Sequence, residues 1–325
     1  MNFEQYDNDL LSSKKNTMFS KLRGEDLKEL LFLVNNYSLS FRESLGFDKS
    51  YQFGCELEYE KVIRLFVNFF IKHNFWRWDS KGDGTCEFGG EIATPILKDR
   101  KKDWIELKNV CDFLKSKGAD MLHNASCHVH VDRTPLVEVK HNRQFLKIIG
   151  CYEPVMFRFA YGDKISPRKK ILEMAAPVAD LIMESLNEIN TYDVKYMSFP
   201  QIDKYNSINY LTKGKNTIEF RLFNATRCAE IVQNYVCCAV NTLTAPKREL
   251  VDEEYLDYVL KNEFISPTKS FYLYSEILLE RALNYVDTVF SNNLDKVCFL
   301  VQYIKKFQNS YGAKGAIQGK KIVKK

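Results

Sequence analysis

Four short segments of this chain alternate apolar and polar residues with a period of two. That alternation constrains the fold more than any other feature. The segments are Phe53-Gly54-Cys55-Glu56-Leu57-Glu58-Tyr59, Gly90-Glu91-Ile92-Ala93-Thr94-Pro95, Cys127-His128-Val129-His130-Val131-Asp132 and Thr217-Ile218-Glu219-Phe220-Arg221-Leu222. Successive side chains of a strand point to opposite faces. Glu56 therefore shares a face with Glu58, His128 with His130 and Asp132, and Glu219 with Arg221. Repeated carboxylate and imidazole pairs with an arginine nearby form a wall of ligands for divalent metal and phosphate. An enzyme is the leading expectation.

The chain has 325 residues, enough for a large core in one domain or in one domain with additions. Hydrophobic residues are 45% and charged residues 27%, with 23 Phe and 18 Tyr, the composition of a folded chain with a strand-containing core. The net charge is +5, and much of the excess sits in a tail holding Lys314, Lys320, Lys321, Lys324 and Lys325. That tail reads as a solvated basic end; the rest of the chain is nearly balanced, so nucleic acid is not an expected partner. Nine cysteines without a CxxC pair fit free thiols in a reducing compartment. No apolar run reaches the roughly 20 residues that span a bilayer, and the polar N-terminus lacks a signal-peptide core. A cytoplasmic location is the expectation.

Periodicity predicts a helix within 17–40, a strand over 51–59 and a helix over 60–73. Strands follow at Phe75 to Trp78 and over 86–93, around the turn Asp83-Gly84-Thr85. A helix over 101–117 ends at Gly118, and the histidine strand covers 126–132. Helices over 142–162 and 168–190 flank a turn from Gly162 to Pro167. Strands at 205–211 and 217–223 form a hairpin through Lys213-Gly214-Lys215-Asn216. A helix runs over 227–244, and the pattern after 250 is mostly helical. With a hairpin as its clearest pair, the fold class is α+β with an antiparallel sheet. The organisation reads as an N-terminal helical extension over 1–50, a catalytic domain over 51–249 and a helical C-terminal region over 250–325 with the basic tail.

Glu56 and Glu58 stand roughly 6.6 Å apart along their strand, so each can serve a different ion of a two-metal site. His128 and His130 form a same-face imidazole pair beside Asp132. Glu219 and Arg221 suit a carboxylate that binds metal beside a guanidinium that neutralises phosphate or an oxyanion. Glu91 completes the acidic set. Each segment alone is also compatible with solvated surface or a structural ion pair. Two metal-hydrolase patterns lose weight here: HxHxDH needs a histidine where Arg133 stands, and an amidohydrolase barrel needs further histidines where only His141 follows.

In this order the segments resemble the amidoligase family of carboxylate–amine ligases, related to glutamine synthetase and glutamate–cysteine ligase. Its Gly-x-Glu-x-Glu strand is matched by Gly54-Cys55-Glu56-Leu57-Glu58, and its Asp-Gly-Ser turn by Asp83-Gly84-Thr85. Its Glu-Ile/Val-x-x-Pro strand is matched by Glu91 to Pro95, and its His-Val-His strand by His128 to His130. Its Tyr-x-x-x-Asn and Glu-x-Arg elements are matched by Tyr205 to Asn209 and by Glu219-Phe220-Arg221. Glu153-Pro154 and Arg168 correspond to a further Glu-Pro and Arg pair. Ser126 stands where the family usually has glycine. The resemblance covers about 51–245 as islands.

The resemblance implies a glutamine-synthetase-like catalytic fold: a curved, mainly antiparallel sheet with helices packed on one face, cradling ATP and Mg²⁺, with Mn²⁺ as an alternative. It implies an amide bond formed through an acyl phosphate. Glu56, Glu58, Glu91, His128 and Glu219 would hold metal; His130 and Arg221 would contact the transferring phosphate, with Glu91 also catalytic. Arg168 would hold a substrate carboxylate. The expected partners are small-molecule or peptide carboxylate and amine substrates, and a homo-oligomer is compatible. Two other readings stay open: a metal-dependent hydrolase using His128 and His130, and an inactive ligase-like binding protein.

Overall fold

The computed structural model describes residues 9–13, 15–84, 86, 88–121, 124–161, 168, 170–191, 202, 204–210, 216–267 and 276–304. Thr85, the turn over 162–167, the hairpin residues Lys213, Gly214 and Lys215, and the lysine tail lie outside them. Helix α1 (Gly24–Asn36) precedes β1 (Phe53–Tyr59), α2 (Arg64–Asn74), β2 (Asp79–Lys81), β3 (Gly90–Ala93), α3 (Lys101–Ser116), β4 (Ser126–Asp132) and α4 (Val139–Ala160). Three short helices follow, α5 (Ile171–Met174), α6 (Ala179–Glu184) and α7 (Leu186–Thr191). Then come β5 (Ile208–Asn209), β6 (Thr217–Asn224), α8 (Ala229–Thr244), α9 (Glu253–Asn262), α10 (Glu276–Val289) and α11 (Asn293–Ile304).

The strands form one six-stranded sheet in the order β2-β3-β1-β4-β6-β5, and every neighbouring pair is antiparallel. The expected α+β class and the β5–β6 hairpin are therefore present. The apolar residues of each alternation are buried on one face: Phe53, Cys55 and Leu57 of β1, Cys127, Val129 and Val131 of β4, and Ile218 and Phe220 of β6. Aromatic contacts seal that face. Phe53 stacks on Trp104 of α3, Phe145 of α4 meets Phe220, and Phe223 stacks on Tyr235 of α8. The polar residues are left on the opposite face.

The strand expected over 86–93 begins only at Gly90, the one expected over 205–211 is Ile208–Asn209, and two further elements differ in kind. Phe75 to Trp78 is not a strand: the Phe75 N–H closes α2 on the Ile71 carbonyl, and the Trp78 N–H turns back to the Phe75 carbonyl. Its aromatic rings pack on one another instead, Phe75 against Phe70 and Trp78, so the strand starts only at Asp79. The helix expected over 168–190 is broken into α5, α6 and α7. Pro177 has no N–H to give and disfavours helix at the residue before it. Ala176 instead bridges to Asn206 beside β5. Gly118 sits just past α3 at φ +68°, the left-handed position that favours glycine at a helix end.

All nine cysteines are free, and Cys237 and Cys238 are buried in α8. No described helix is long and apolar enough to cross a membrane. One apolar cluster takes in Leu30 and Val34 of α1, Leu57 of β1, Phe145 of α4, Val240 of α8 and Val286 and Leu300 of α10 and α11. A buried polar clasp joins the segment from Thr17 to Ser20 to α10 and α11. Lys296 is fully buried and donates to Asp287 at 2.6 Å and to the Thr17 carbonyl at 2.7 Å. Asp287 accepts from the backbone N–H groups of Phe19 and Ser20. Nearby, Arg42 pairs with Asp295 at 2.7 Å.

Removing one partner of a buried pair strands the other charge, which costs about 3–5 kcal/mol. Lys296→Met should lower stability by about that amount in urea unfolding, and Lys296→Met with Asp287→Leu should recover part of the loss. Equal stability of the single variant and the wild type would contradict the clasp.

Candidate active site

The site is written into the register of β1. Its backbone ladder puts Glu58 opposite Glu91 on one side, and Glu56 opposite His128 and Gly54 opposite His130 on the other. On the far side of β4, His130 stands opposite Glu219, whose next neighbour is Asn209 of β5. The β4–β6 ladder slips between Cys127↔Phe223 and Val129↔Phe220, so Arg221 and Leu222 together face His128. An extra residue of this kind bends the strand and re-aims its side chains. Leu222 is in the core, and Arg221 Nη1 lies 3.4 Å from His128 Nδ1.

Glu56, His130 and Glu219 offer ligand atoms that lie within 4.8 Å of one another. His130 Nε2 is 3.2 Å from Glu56 Oε1 and 3.8 Å from Glu219 Oε1. His128 Nδ1 lies 3.1 Å from Glu56 Oε2 and 3.3 Å from Glu219 Oε1, and its Nε2 meets the Ser126 hydroxyl at 2.8 Å. Arg221 donates to Glu219, and Asn209 donates to the other Glu219 oxygen at 2.8 Å. Burial by itself raises the Glu56 carboxyl, but hydrogen bonds and charge from His128 and His130 outweigh it and hold Glu56 far below the usual range. Burial likewise opposes ionisation of Glu219, and His128, Arg221, His130 and Asn209 overcome it, leaving its pKa lowered.

A second acidic group, Glu58, Asp83 and Glu91, lies beside the first, again with ligand atoms within 4.8 Å. Glu58 Oε2 accepts from the Ser126 backbone N–H at 2.7 Å, and Lys81 Nζ pairs with Glu91 at 3.0 Å. Burial and the Glu56 charge push the Glu91 pKa up, with Lys81 and His128 opposing. Two glycines let β3 come this close. A Cβ on Gly89 would lie 1.8 Å from the Tyr59 carbonyl oxygen, and one on Gly90 would lie 2.6 Å from that of Lys81.

The structure thus brings Glu56, Glu58, Glu91, His128, His130, Glu219 and Arg221 onto one face. Both imidazoles lie beside Glu56 and Glu219, and the ligand atoms of His130, Glu56 and Glu219 all lie within 4.8 Å of one another. The structure adds Asp83, Ser126, Asn209 and Lys81, which were not among the expected site residues. Asp83 lay in plain view within a turn, but a turn residue carries no facing information. Asp132 stands apart: its Oδ1 accepts from the N–H and hydroxyl of Thr134 at the strand end. Carboxylates and imidazoles gathered this densely, with Arg221 and Lys81 the permanent cations paired to them among the described residues, are a hard-donor set that suits Mg²⁺ or Mn²⁺.

Arg168 and Glu153 brace the site through buried hydrogen bonds. The Arg168 guanidinium is buried and donates to the carbonyls of Phe223 at 2.7 Å and Arg221 at 3.0 Å, which clamps the β6 bulge. Burial pulls its pKa down to about 10. Glu153, fully enclosed in α4, accepts from the N–H groups of Val178 and Ala179 at the start of α6 and from the Ser207 hydroxyl. The Ser207 carbonyl in turn accepts from the Arg221 N–H at 2.7 Å.

Two cavities open on this face. One of about 570 Å³, largely apolar, runs past Gly54, Glu56 and His130 between Pro95, Ile96 and Thr217. That is within the range of about 300–1,000 Å³ of small-molecule sites. The other, about 90 Å³, lies among charged and polar residues that include Ser126, His128, Arg168 and Arg221.

Gly90→Val should displace β3, destabilise the protein by about 1–3 kcal/mol and weaken Mn²⁺ binding; unchanged stability would contradict the close approach. Burial pushes the Glu153 carboxyl up from 4.5 to about 7, against its three donors. Between those values the unfolded chain has lost this proton while the folded chain retains it, so the contribution of Glu153 to stability falls as pH rises. Glu153→Gln should flatten the pH dependence of stability across that window, as read by thermal melts; an unaltered slope would contradict it.

No curated protein matches the chain. A family model described as "Putative amidoligase enzyme" matches residues 6–241, from before α1 to the last turns of α8, and so includes every strand of the sheet and every acidic and imidazole residue of the site. The chain belongs to the amidoligase family.

Proposed function

We propose that this amidoligase is ATP- and Mg²⁺-dependent and makes its amide bond through an acyl phosphate, in a glutamine-synthetase-like catalytic fold. The observation that carries the reading is the pair of acidic groups, Glu56–His130–Glu219 and Glu58–Asp83–Glu91, side by side on one sheet face with Arg221 between them and the charged cavity.

The 570 Å³ cavity suits the base and sugar of a nucleotide, because it is mostly apolar and ends at Glu56 and His130. Its polyphosphate would then point along the acidic groups. Mg²⁺ held there, by Glu56, His130 and Glu219 and by Glu58, Asp83 and Glu91, would neutralise phosphate charge. His128 stands between the two groups, 3.1 Å from Glu56 and 3.9 Å from Glu58, and keeps their carboxylates apart.

In the first step a substrate carboxylate oxygen attacks the γ-phosphorus, the bond to the β–γ bridging oxygen breaks, and ADP leaves with that electron pair. Arg221, whose Nη1 is fixed by Glu219, stabilises charge on the transferring phosphoryl group. In the second step an amine attacks the acyl carbon and phosphate departs. Glu91, paired with Lys81 at the edge of the second group, is the carboxylate proposed to accept the amine proton. Phosphoryl transfer of this kind depends on positioning and charge more than on a protein nucleophile.

Incubation with ATP, Mg²⁺ and mixed carboxylates and amines should release phosphate. Glu56→Gln should reduce the rate on the order of 100-fold or more. Gly54→Phe, which would fill the cavity floor, should raise the KM for ATP about tenfold with a smaller effect on kcat. Phosphate release that survives Glu56→Gln, or amide hydrolysis without nucleotide by a zinc-loaded protein, would overturn the proposal.

A further inference from the structure

Helix α2 is apolar on two sides, and the fold covers only one. Val67 and Ile71 are buried, and Phe70 stacks on Phe113 of α3 with ring centroids 3.7 Å apart. The other side carries Leu65, Phe66 and Phe69, spaced three and four residues apart on one face of the helix. They are 72%, 58% and 63% exposed. Ile63, just before the helix, is 63% exposed, and Trp76, two residues after it, is 85% exposed. A helix that is apolar on both sides is ordinarily covered on both.

The charges along this stretch have one sign. From Lys61 to Trp78 the sequence holds Lys61, Arg64, Lys72 and Arg77 and no Asp or Glu. Lys61 is taken by Asp120, and Arg77 by Glu106 and Asp103. Arg64 and Lys72 are exposed, and among the described residues neither has an ion-pair partner. Size and charge together narrow what covers the face. The five apolar side chains present on the order of 500 Å², a scale at which patches are often functional, but short of the roughly 800 Å² that each partner gives to a stable protein interface. A second copy seated helix on helix would also bring cations against cations. A fluid anionic surface needs no matching groove. It takes up protruding Leu and Phe, holds Trp at headgroup level and attracts Lys and Arg.

We propose that this face of α2 seats the protein on an anionic lipid surface, with Leu65, Phe66 and Phe69 among the acyl chains, Trp76 at the headgroups and Arg64 and Lys72 on the lipid phosphates. The helix lies on the bilayer and does not span it; no described helix is long and apolar enough to do so. Arg64 links the face to the site. Its guanidinium lies against Gly82, where a Cβ would meet Nη1, one residue before Asp83. Seated in this way, the turn that carries Asp83 stands beside the lipid.

Trp76 reports the docking directly, because the other two tryptophans, Trp78 and Trp104, are buried. The test adds vesicles of phosphatidylcholine, pure or with about one-third phosphatidylglycerol, to the full chain and follows tryptophan emission, acrylamide quenching and co-sedimentation. Mixed vesicles should shift the emission to the blue, protect Trp76 from quenching and sediment the protein. Pure phosphatidylcholine should bind about tenfold more weakly or worse. Phe66→Ser with Phe69→Ser, and separately Arg64→Gln with Lys72→Gln, should each weaken binding to mixed vesicles about tenfold or more. All four residues are exposed, so these variants should fold, as far-UV circular dichroism checks; the wild-type comparison of the two vesicles stands without them. No association with mixed vesicles, or equal association with both kinds, would overturn the proposal. So would protection of Trp76 at rising protein concentration without lipid, which would assign the face to a second copy. Protection by polyglutamate but not by vesicles would assign it to an acidic protein and overturn the proposal as well. None of these readouts involves nucleotide, so the ligase reading is tested apart from them.

Discussion

Everything at the site depends on the backbone ladder that seats β1 between β3 and β4. With Leu57 opposite Ile92 and Cys127 in the core, Glu58 meets Glu91 and Glu56 meets His128 on the other face. A slip of β1 by one residue would exchange its faces, burying Glu56 and Glu58 in hydrocarbon and exposing its core residues. The apolar residues thus enforce the register, and the register delivers the polar residues. Glycines at 89 and 90 complete it, since a side chain at either would meet backbone oxygen.

Such a face is costly to build. Carboxylates brought together and partly buried repel one another and lose hydration. The protein offsets this unevenly. Glu56 and Glu219 are held ionised by two imidazoles and Arg221, while Glu91 is left with a raised pKa beside Lys81. Neighbouring carboxylates pushed in opposite directions are a mark of a site with divided roles. The rigidity that this needs comes from buried hydrogen bonds: Arg168 clamps the bulge, and Glu153 ties α4 to α6 and to Ser207. The clasp of Lys296 and Asp287 anchors the segment from Thr17 to Ser20 to α10 and α11.

Much of this was legible in the sequence because it is local. Period-two alternation located β1, β4 and β6 nearly to the residue, and the polar members of each pair do share a face. Order along the chain was enough to suggest the family. What was not legible depends on contacts between distant segments. The β6 bulge beside Arg221 has no sequence signature. Asp83 joins Glu58 and Glu91 only because β2 and β3 fold its turn over them. The aromatic run from Phe75 to Trp78 resembled a strand by composition, yet its rings found partners under α2. Pro177 could have announced the break in the helix expected over 168–190, but its consequence, the bridge from Ala176 to Asn206, is long-range.

The central claim is that one sheet face holds two adjoining acidic centres with separate ligands. Mn²⁺ titration followed by electron paramagnetic resonance tests it directly. The account predicts two bound ions per chain, one lost in Glu219→Gln and the other in Asp83→Asn, because each residue belongs to one group alone. Absence of Mn²⁺ binding, or a stoichiometry that neither substitution changes, would contradict it.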